Sequence, residues 1–231
     1  MHHSHVVLAM AFATIAAIPA VLVASLSVAQ APAPAAPNPL PVIAPSLPPT
    51  RVVDLASNEG VAAFNGQWRN MDAKIIEVPA MPNAGPAWKT AYDLTPKAGE
   101  ANFDDSAWAK IEPKGLLDRR GGGHLFMTWY RSNLTIPAKV GDLDTAGARV
   151  VLAFTIDDYA EVWVNGQMPR AAGRPSPATI QGFNMPNRVV LSESVKPGDK
   201  FQIAILGING PISLAPPNPV FFREAKIEFF K

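Results

Sequence analysis

From about Arg51 onward, runs in which apolar positions recur at every second residue return repeatedly along this chain. Such alternation puts successive side chains on opposite faces of an extended strand, with one face buried. The clearest runs are Lys74–Val78, Phe126–Ile136, Arg149–Thr155, Tyr159–Val164, Phe201–Ile208 and Phe221–Phe229. No stretch holds an i, i+3, i+4, i+7 apolar stripe over three turns, so no long helix is predicted. Turn signals separate the runs: Pro96-Lys97-Ala98-Gly99, Gly121-Gly122-Gly123, Gly141-Asp142, Asn165-Gly166, Pro197-Gly198-Asp199 and Asn209-Gly210-Pro211. Short strands joined by tight turns at this spacing predict an all-β antiparallel sandwich.

One hairpin stands out. In Tyr159–Val164, Ala160, Val162 and Val164 share a small aliphatic face that belongs inside, while Tyr159, Glu161 and Trp163 share the opposite face. Asn165-Gly166 then supplies the two positive-φ positions of a type I′ turn, predicting a hairpin there. The Tyr-Glu-Trp face reads either as half-covered packing or as a surface open to a ligand.

Charge divides the chain. No Lys, Arg, Asp or Glu precedes Arg51. Residues 1–29 are almost continuously apolar from Val6 and end in Ser27-Val28-Ala29, which suits signal-peptidase cleavage before Gln30. The segment has no Lys or Arg ahead of it and is long enough to span a bilayer, so an uncleaved anchor is the alternative. From Gln30 to Thr50, eight of 21 residues are proline, an extended spacer without a core. Residues 51–231 form the sandwich. A periplasmic or secreted location follows in either case, with membrane attachment only through the N-terminal segment. The formal net charge of +1 gives no long-range attraction to nucleic acid.

The catalytic inventory is thin. There is no cysteine, and His124 is the only histidine beyond residue 5. Disulfide scaffolds, thiol nucleophiles and multi-histidine metal clusters are therefore excluded. Asp104-Asp105 and Asp157-Asp158 are adjacent carboxylates, whose side chains diverge in a strand; they read as turn residues rather than as a glycosidase pair. His124 and Arg119-Arg120-Gly121-Gly122-Gly123 read as an ordinary solvated loop. Asp142 and Asp144 offer oxygen ligands at alternating positions, as calcium loops do, so a structural calcium is the one cofactor considered.

Asn102-Phe103-Asp104-Asp105-Ser106-Ala107-Trp108, Trp129-Tyr130-Arg131 and Asp157-Asp158-Tyr159 through Asn165-Gly166 carry a resemblance. With Val195-Lys196-Pro197-Gly198-Asp199 they resemble, in order, the N-terminal sugar-binding domain of the β-galactosidase/β-glucuronidase glycoside hydrolases. Gly207–Ser213 and Arg223–Ile227 are similar to the accessory sandwich of bacterial gluconolactonase-like proteins. The resemblance implies a galactose-binding-like jelly roll. It also implies a non-catalytic module that recognises carbohydrate or, alternatively, docks a separately encoded lactonase or glycosidase unit.

Sugar rings offer apolar C–H faces to aromatic rings, and hydroxyls to forked polar groups. Trp129, Tyr130, Arg131, Tyr159, Glu161, Trp163 and Asn209 supply that mixture and are the candidate ligand set. Trp68, Trp88 and Trp108 are assigned to the core, and an Arg131–Glu161 pair is the structural alternative for Arg131.

Overall fold

A computed structural model describes residues 48–79, 90–171, 184–209 and 217–231. The expected signal segment, all but the last three residues of the linker, and Trp88 lie outside the described residues. In chain order the strands are β1 (Arg51–Asp54), β2 (Trp68–Asp72), β3 (Lys74–Pro79), β4 (Thr90–Thr95), β5 (Ala109–Ile111) and β6 (Met127–Thr135). There follow β7 (Lys139–Val140), β8 (Leu143–Asp144), β9 (Arg149–Asp157), β10 (Tyr159–Val164), β11 (Pro186–Ser192), β12 (Lys200–Ile208) and β13 (Phe221–Phe230). A short helix α1 (Asn58–Ala63) and a 3₁₀ turn at Pro113–Leu117 complete the described elements.

The strands build an all-β sandwich of two antiparallel sheets, in agreement with the sequence pattern. One sheet has four strands in the order β1-β13-β9-β11, the other five in the order β10-β12-β6-β2-β5. From β9 to β13 successive strands alternate between the sheets, the connection pattern of a jelly roll. The β3–β4 and β7–β8 pairs stand apart as two-stranded ribbons.

Period two decides what lies between the layers. Val150, Leu152, Phe154 and Ile156 of β9, with Phe222, Ile227 and Phe229 of β13, meet Tyr130 and Leu134 of β6 and Ile203 and Ile205 of β12. Ala160, Val162 and Val164 join this core, as their alternation predicts. Phe222 packs edge-on against Tyr130, with centroids 4.9 Å apart, and against Phe154 at 5.8 Å. Each such pair adds to the area term because ring edges meet negative ring faces. Trp68 is fully buried and donates its indole N–H to the carbonyl of Leu55.

Helix α1 has a local cause. The Ser57 hydroxyl accepts the amide of Gly60 at 3.0 Å, satisfying one of the free N–H groups of the first turn. At six residues it is too short to show a stripe in the sequence.

The predicted hairpin needs correction. Asn165 and Gly166 adopt φ of 51° and 80°, and Val164 exchanges both backbone hydrogen bonds with Gln167, so the tight turn forms. The ladder nevertheless ends at that bridge. Asn165 bonds through backbone and side chain to Gln202 on β12, and Pro169 has no N–H to extend a return strand. Tyr159–Val164 pairs instead with Ile203–Ile208.

Phe222 is the ring that both sheets share. Replacing it with alanine opens a cavity with few atoms free to collapse into it, so Phe222→Ala is expected to lower unfolding free energy by about 3–5 kcal/mol. Urea denaturation followed by fluorescence and circular dichroism measures this, and a loss below about 1 kcal/mol contradicts the packing described.

Candidate functional site

The outward face of the five-stranded sheet is also apolar, which separates it from an ordinary solvated sheet face. Register sets out three rows across it. Trp163 lies opposite Ala204, which lies opposite Arg131; Glu161, Leu206 and Trp129 form the next row; Tyr159, Ile208 and Met127 form the third. Ala73, Ala98, Trp108, Met127, Trp129, Ala204 and Leu206 bury themselves there as a second cluster, with Leu94, Phe103, Trp163 and Ile208 against it.

What covers this face is the chain from Pro96 to Trp108, and side chains of the sheet hold it down. Trp129 donates its indole N–H to the carbonyl of Pro96 at 2.9 Å. Arg131 is 2% exposed; its guanidinium binds the Asp105 carboxylate at 2.8 Å, the carbonyl of Ala98, and the carbonyl of Phe103 at 3.3 Å. This is a fork with a charged partner and backbone acceptors, as burial of a charge demands. Arg131 therefore pairs with Asp105 and not with Glu161. Asp104 caps the same segment, accepting the Ser106 amide at 2.9 Å, as its turn assignment predicts.

Between the clamped segment and the strands lies a cavity of about 460 Å³, within the range of small-molecule sites. Met127, Trp129, Leu206, Ile208 and Leu94 give it an apolar floor and wall, and Asp93, Lys97, Glu100 and Glu161 bring charge to it. Gly99 lies over the Trp163 ring: a Cβ on it would come within 2.5 Å of the fused ring bond. Only glycine lets the segment approach so closely. One face of the indole is thereby covered, and the rest of it lines the cleft. Lys97 and Asp93 pair at 2.7 Å; the ammonium holds the Asp93 carboxyl below its usual range, and Asp93 in turn raises the Lys97 ammonium.

The structure brings Trp129, Glu161 and Trp163 together at this cleft. Tyr159 shares their face one row away, and Arg131 lies beneath the covering segment. Tyr130 points the other way, into the core, because it alternates with Trp129 and Arg131; burial raises its phenol above its usual range. Asn209 is buried just past β12, where its amide ties the carbonyls of Gly123 and Asn218. Asp93, Leu94, Lys97, Gly99, Glu100, Met127, Leu206 and Ile208 were not in the candidate set. The Pro96–Gly99 turn signal marked where the covering segment bends but not which surface it would cover.

Asp142 pairs with Arg51 of β1, and Asp144 accepts the Ala146 amide at 3.0 Å, so both carboxylates have protein partners. Among the described residues, no three His, Cys, Asp or Glu side chains gather as a metal-ligand set.

A different polar cluster sits at one end of the sandwich. Asp157 and Asp158 are both buried where β9 passes to β10; Asn218 donates to both, and Arg223 binds Asp157 at 3.2 Å. The Asp157 carboxyl is pushed up to about 6, first by burial and then by the neighbouring Asp158, with Arg223 opposing. The folded state thus holds this proton more tightly than the unfolded chain does.

No protein-family model matches the chain, and no curated protein matches it. Among solved structures it is similar to a glycosyl hydrolase family 2 member from Bacteroides cellulosilyticus, with 16% identity over 71% of this chain and 20% of that one, at a TM-score of 0.40. It is similar also to a calcium-binding mutant of Bacteroides uniformis β-glucuronidase 2, with 15% identity over 71% and 18% and a TM-score of 0.40. A third is the Faecalibacterium prausnitzii β-glucuronidase, with 16% identity over 71% and 32% and a TM-score of 0.37. The chain spans about a fifth of the length of the first two and a third of the last. At these values the likeness assigns neither activity nor ligand.

Two outcomes follow from this geometry. Arg131→Ala leaves Asp105 with only Arg69, 3.6 Å away, and should cost about 3–5 kcal/mol while speeding amide exchange and proteolysis within residues 96–108. The second concerns pH. A carboxyl with a raised folded-state value loses stability as pH rises from about 4 to about 6, and Asp157→Asn should remove that downward slope in a melting-temperature profile.

Proposed function

We propose that the folded part of this chain is a non-catalytic carbohydrate-recognition module whose ligand lies in the cleft between the outer sheet face and the Pro96–Trp108 segment. The observation that carries this reading is the cleft itself. Indole rings and aliphatic side chains line its floor, suited to the C–H face of a sugar, and carboxylates and an ammonium stand where hydroxyls need partners. Those parts hold a ligand by stacking and hydrogen bonding. An exported location is supported by the uncharged first 50 residues.

A docking role for a separately encoded hydrolase is the second reading, and one observation favours it. Ile75, Ile76 and Tyr92 are exposed on the β3–β4 ribbon, beside the cleft wall formed by β4. Under that reading the module co-purifies with its enzyme, and Tyr92→Ser with Ile75→Ser weakens the association.

Titration calorimetry against neutral and charged oligosaccharides, guided by a glycan array, tests the first reading. A sugar is expected to bind, and Trp163→Ala to weaken it by about tenfold, the order of one lost stacking contact. An array on which the intact protein retains no glycan sinks it.

A further inference from the structure

The charges at the cleft are unequal. Asp93, Glu100 and Glu161 are acidic and Lys97 is the lone base among the lining side chains. Lys97 is already neutralised by Asp93 at 2.7 Å. Among the described residues neither Glu100 nor Glu161 takes part in an ion pair within 4.0 Å; Lys97 attracts Glu100 only at longer range, so three carboxylates against one ammonium leave the cleft with an excess of negative charge. They stand on different walls. Glu100 belongs to the covering segment, and Glu161 rises from β10, opposite Leu206 and in one row with Trp129. Both line the cavity, so a ligand there is within reach of each.

Resting on the carbohydrate reading of this cleft, we propose that the site selects a glycan bearing a free amine, taking a glucosamine-type sugar ahead of a neutral one and rejecting a uronic acid. An ammonium placed there meets opposite charge from both walls and can sit against the Trp129 or Trp163 ring. A carboxylate placed there faces like charge from Glu100 and Glu161. The preference is local, since the chain as a whole carries a formal charge of +1 and does not attract cations at long range. Neutral sugars keep the stacking contribution and lose only the ionic one.

Calorimetric titration of the full chain at pH 6 with tetramers of glucosamine, N-acetylglucosamine, glucose and galacturonic acid reads the order directly. The glucosamine tetramer is expected to bind about tenfold more tightly than its acetylated form, and the uronate tetramer more weakly than glucose. Raising salt from about 0.05 M to about 0.5 M should shrink the amine advantage. Glu161→Gln and Glu100→Gln should each reduce the ratio of amine to acetylated affinity, whereas Glu59→Gln, at an exposed position of helix α1, should leave that ratio unchanged. Equal affinity for all four tetramers, or tighter binding of the uronate, overturns charge selection and leaves the carbohydrate reading standing. Binding of none overturns both.

Discussion

The burial of one guanidinium organises the outer half of this molecule. Arg131 projects from the middle of a strand into an environment that excludes water, where an unmatched cation is not tolerated. Its fork is met by a carboxylate and by main-chain oxygens of a single segment, so satisfying the charge and fixing that segment over the sheet are one event. The same segment then brings Gly99 onto Trp163 and leaves a hollow beside it. Without a rigid roof the outer face would be an apolar sheet surface open to solvent; with it the face becomes a shaped site.

How much of this was visible in the sequence depended on whether the signal was local. The strand β10 was readable because its two faces differ in kind, small aliphatics against Tyr, Glu and Trp, and its observed burial alternates strictly. All six runs form strands, but Lys74–Val78 lies in the separate β3–β4 ribbon and has no buried residue, so its alternation did not mark a face of the sandwich. β2 was not readable: in Trp68-Arg69-Asn70-Met71-Asp72 only Trp68 is buried, and the strand is fixed by its neighbours β5 and β6. The same contrast governs the site. Trp129, Tyr130 and Arg131 are adjacent in sequence and chemically alike as sugar partners, yet period two separates Tyr130 from the others. Glu161 and Trp163 were found because their strand declared a face. Leu94, Lys97 and Glu100 were missed because a turn motif specifies how the backbone bends and carries no information about where it docks.

The two polar clusters differ in the way they handle charge. At the cleft, carboxylates stand at the rim in contact with water, so they can exchange solvent for a ligand at modest cost. At Asp157 and Asp158 the carboxyls are inside, bridged by Asn218 and approached by Arg223, and the raised Asp157 value records the desolvation that burial imposes. The first arrangement suits recognition. The second ties the end of β9 to the loops around Asn218 and Asn184 and makes the stability of that end depend on acidity.

The order in which the sheets are threaded bears on how the protein is made. β13 follows every other described strand along the chain, yet it occupies an interior position between β1 and β9 in the four-stranded sheet. Before those ten residues dock, β1 has no partner, and one side of Val150, Leu152 and Phe154 on β9 lacks its cover from Phe222, Ile227 and Phe229. The pairs β2–β5, β2–β6, β3–β4 and β9–β11 do not need β13, whereas closure of the four-stranded sheet waits on these long-range contacts. Closure of the core therefore rests on the strand that follows all the other described strands, which must enter between two that are already placed.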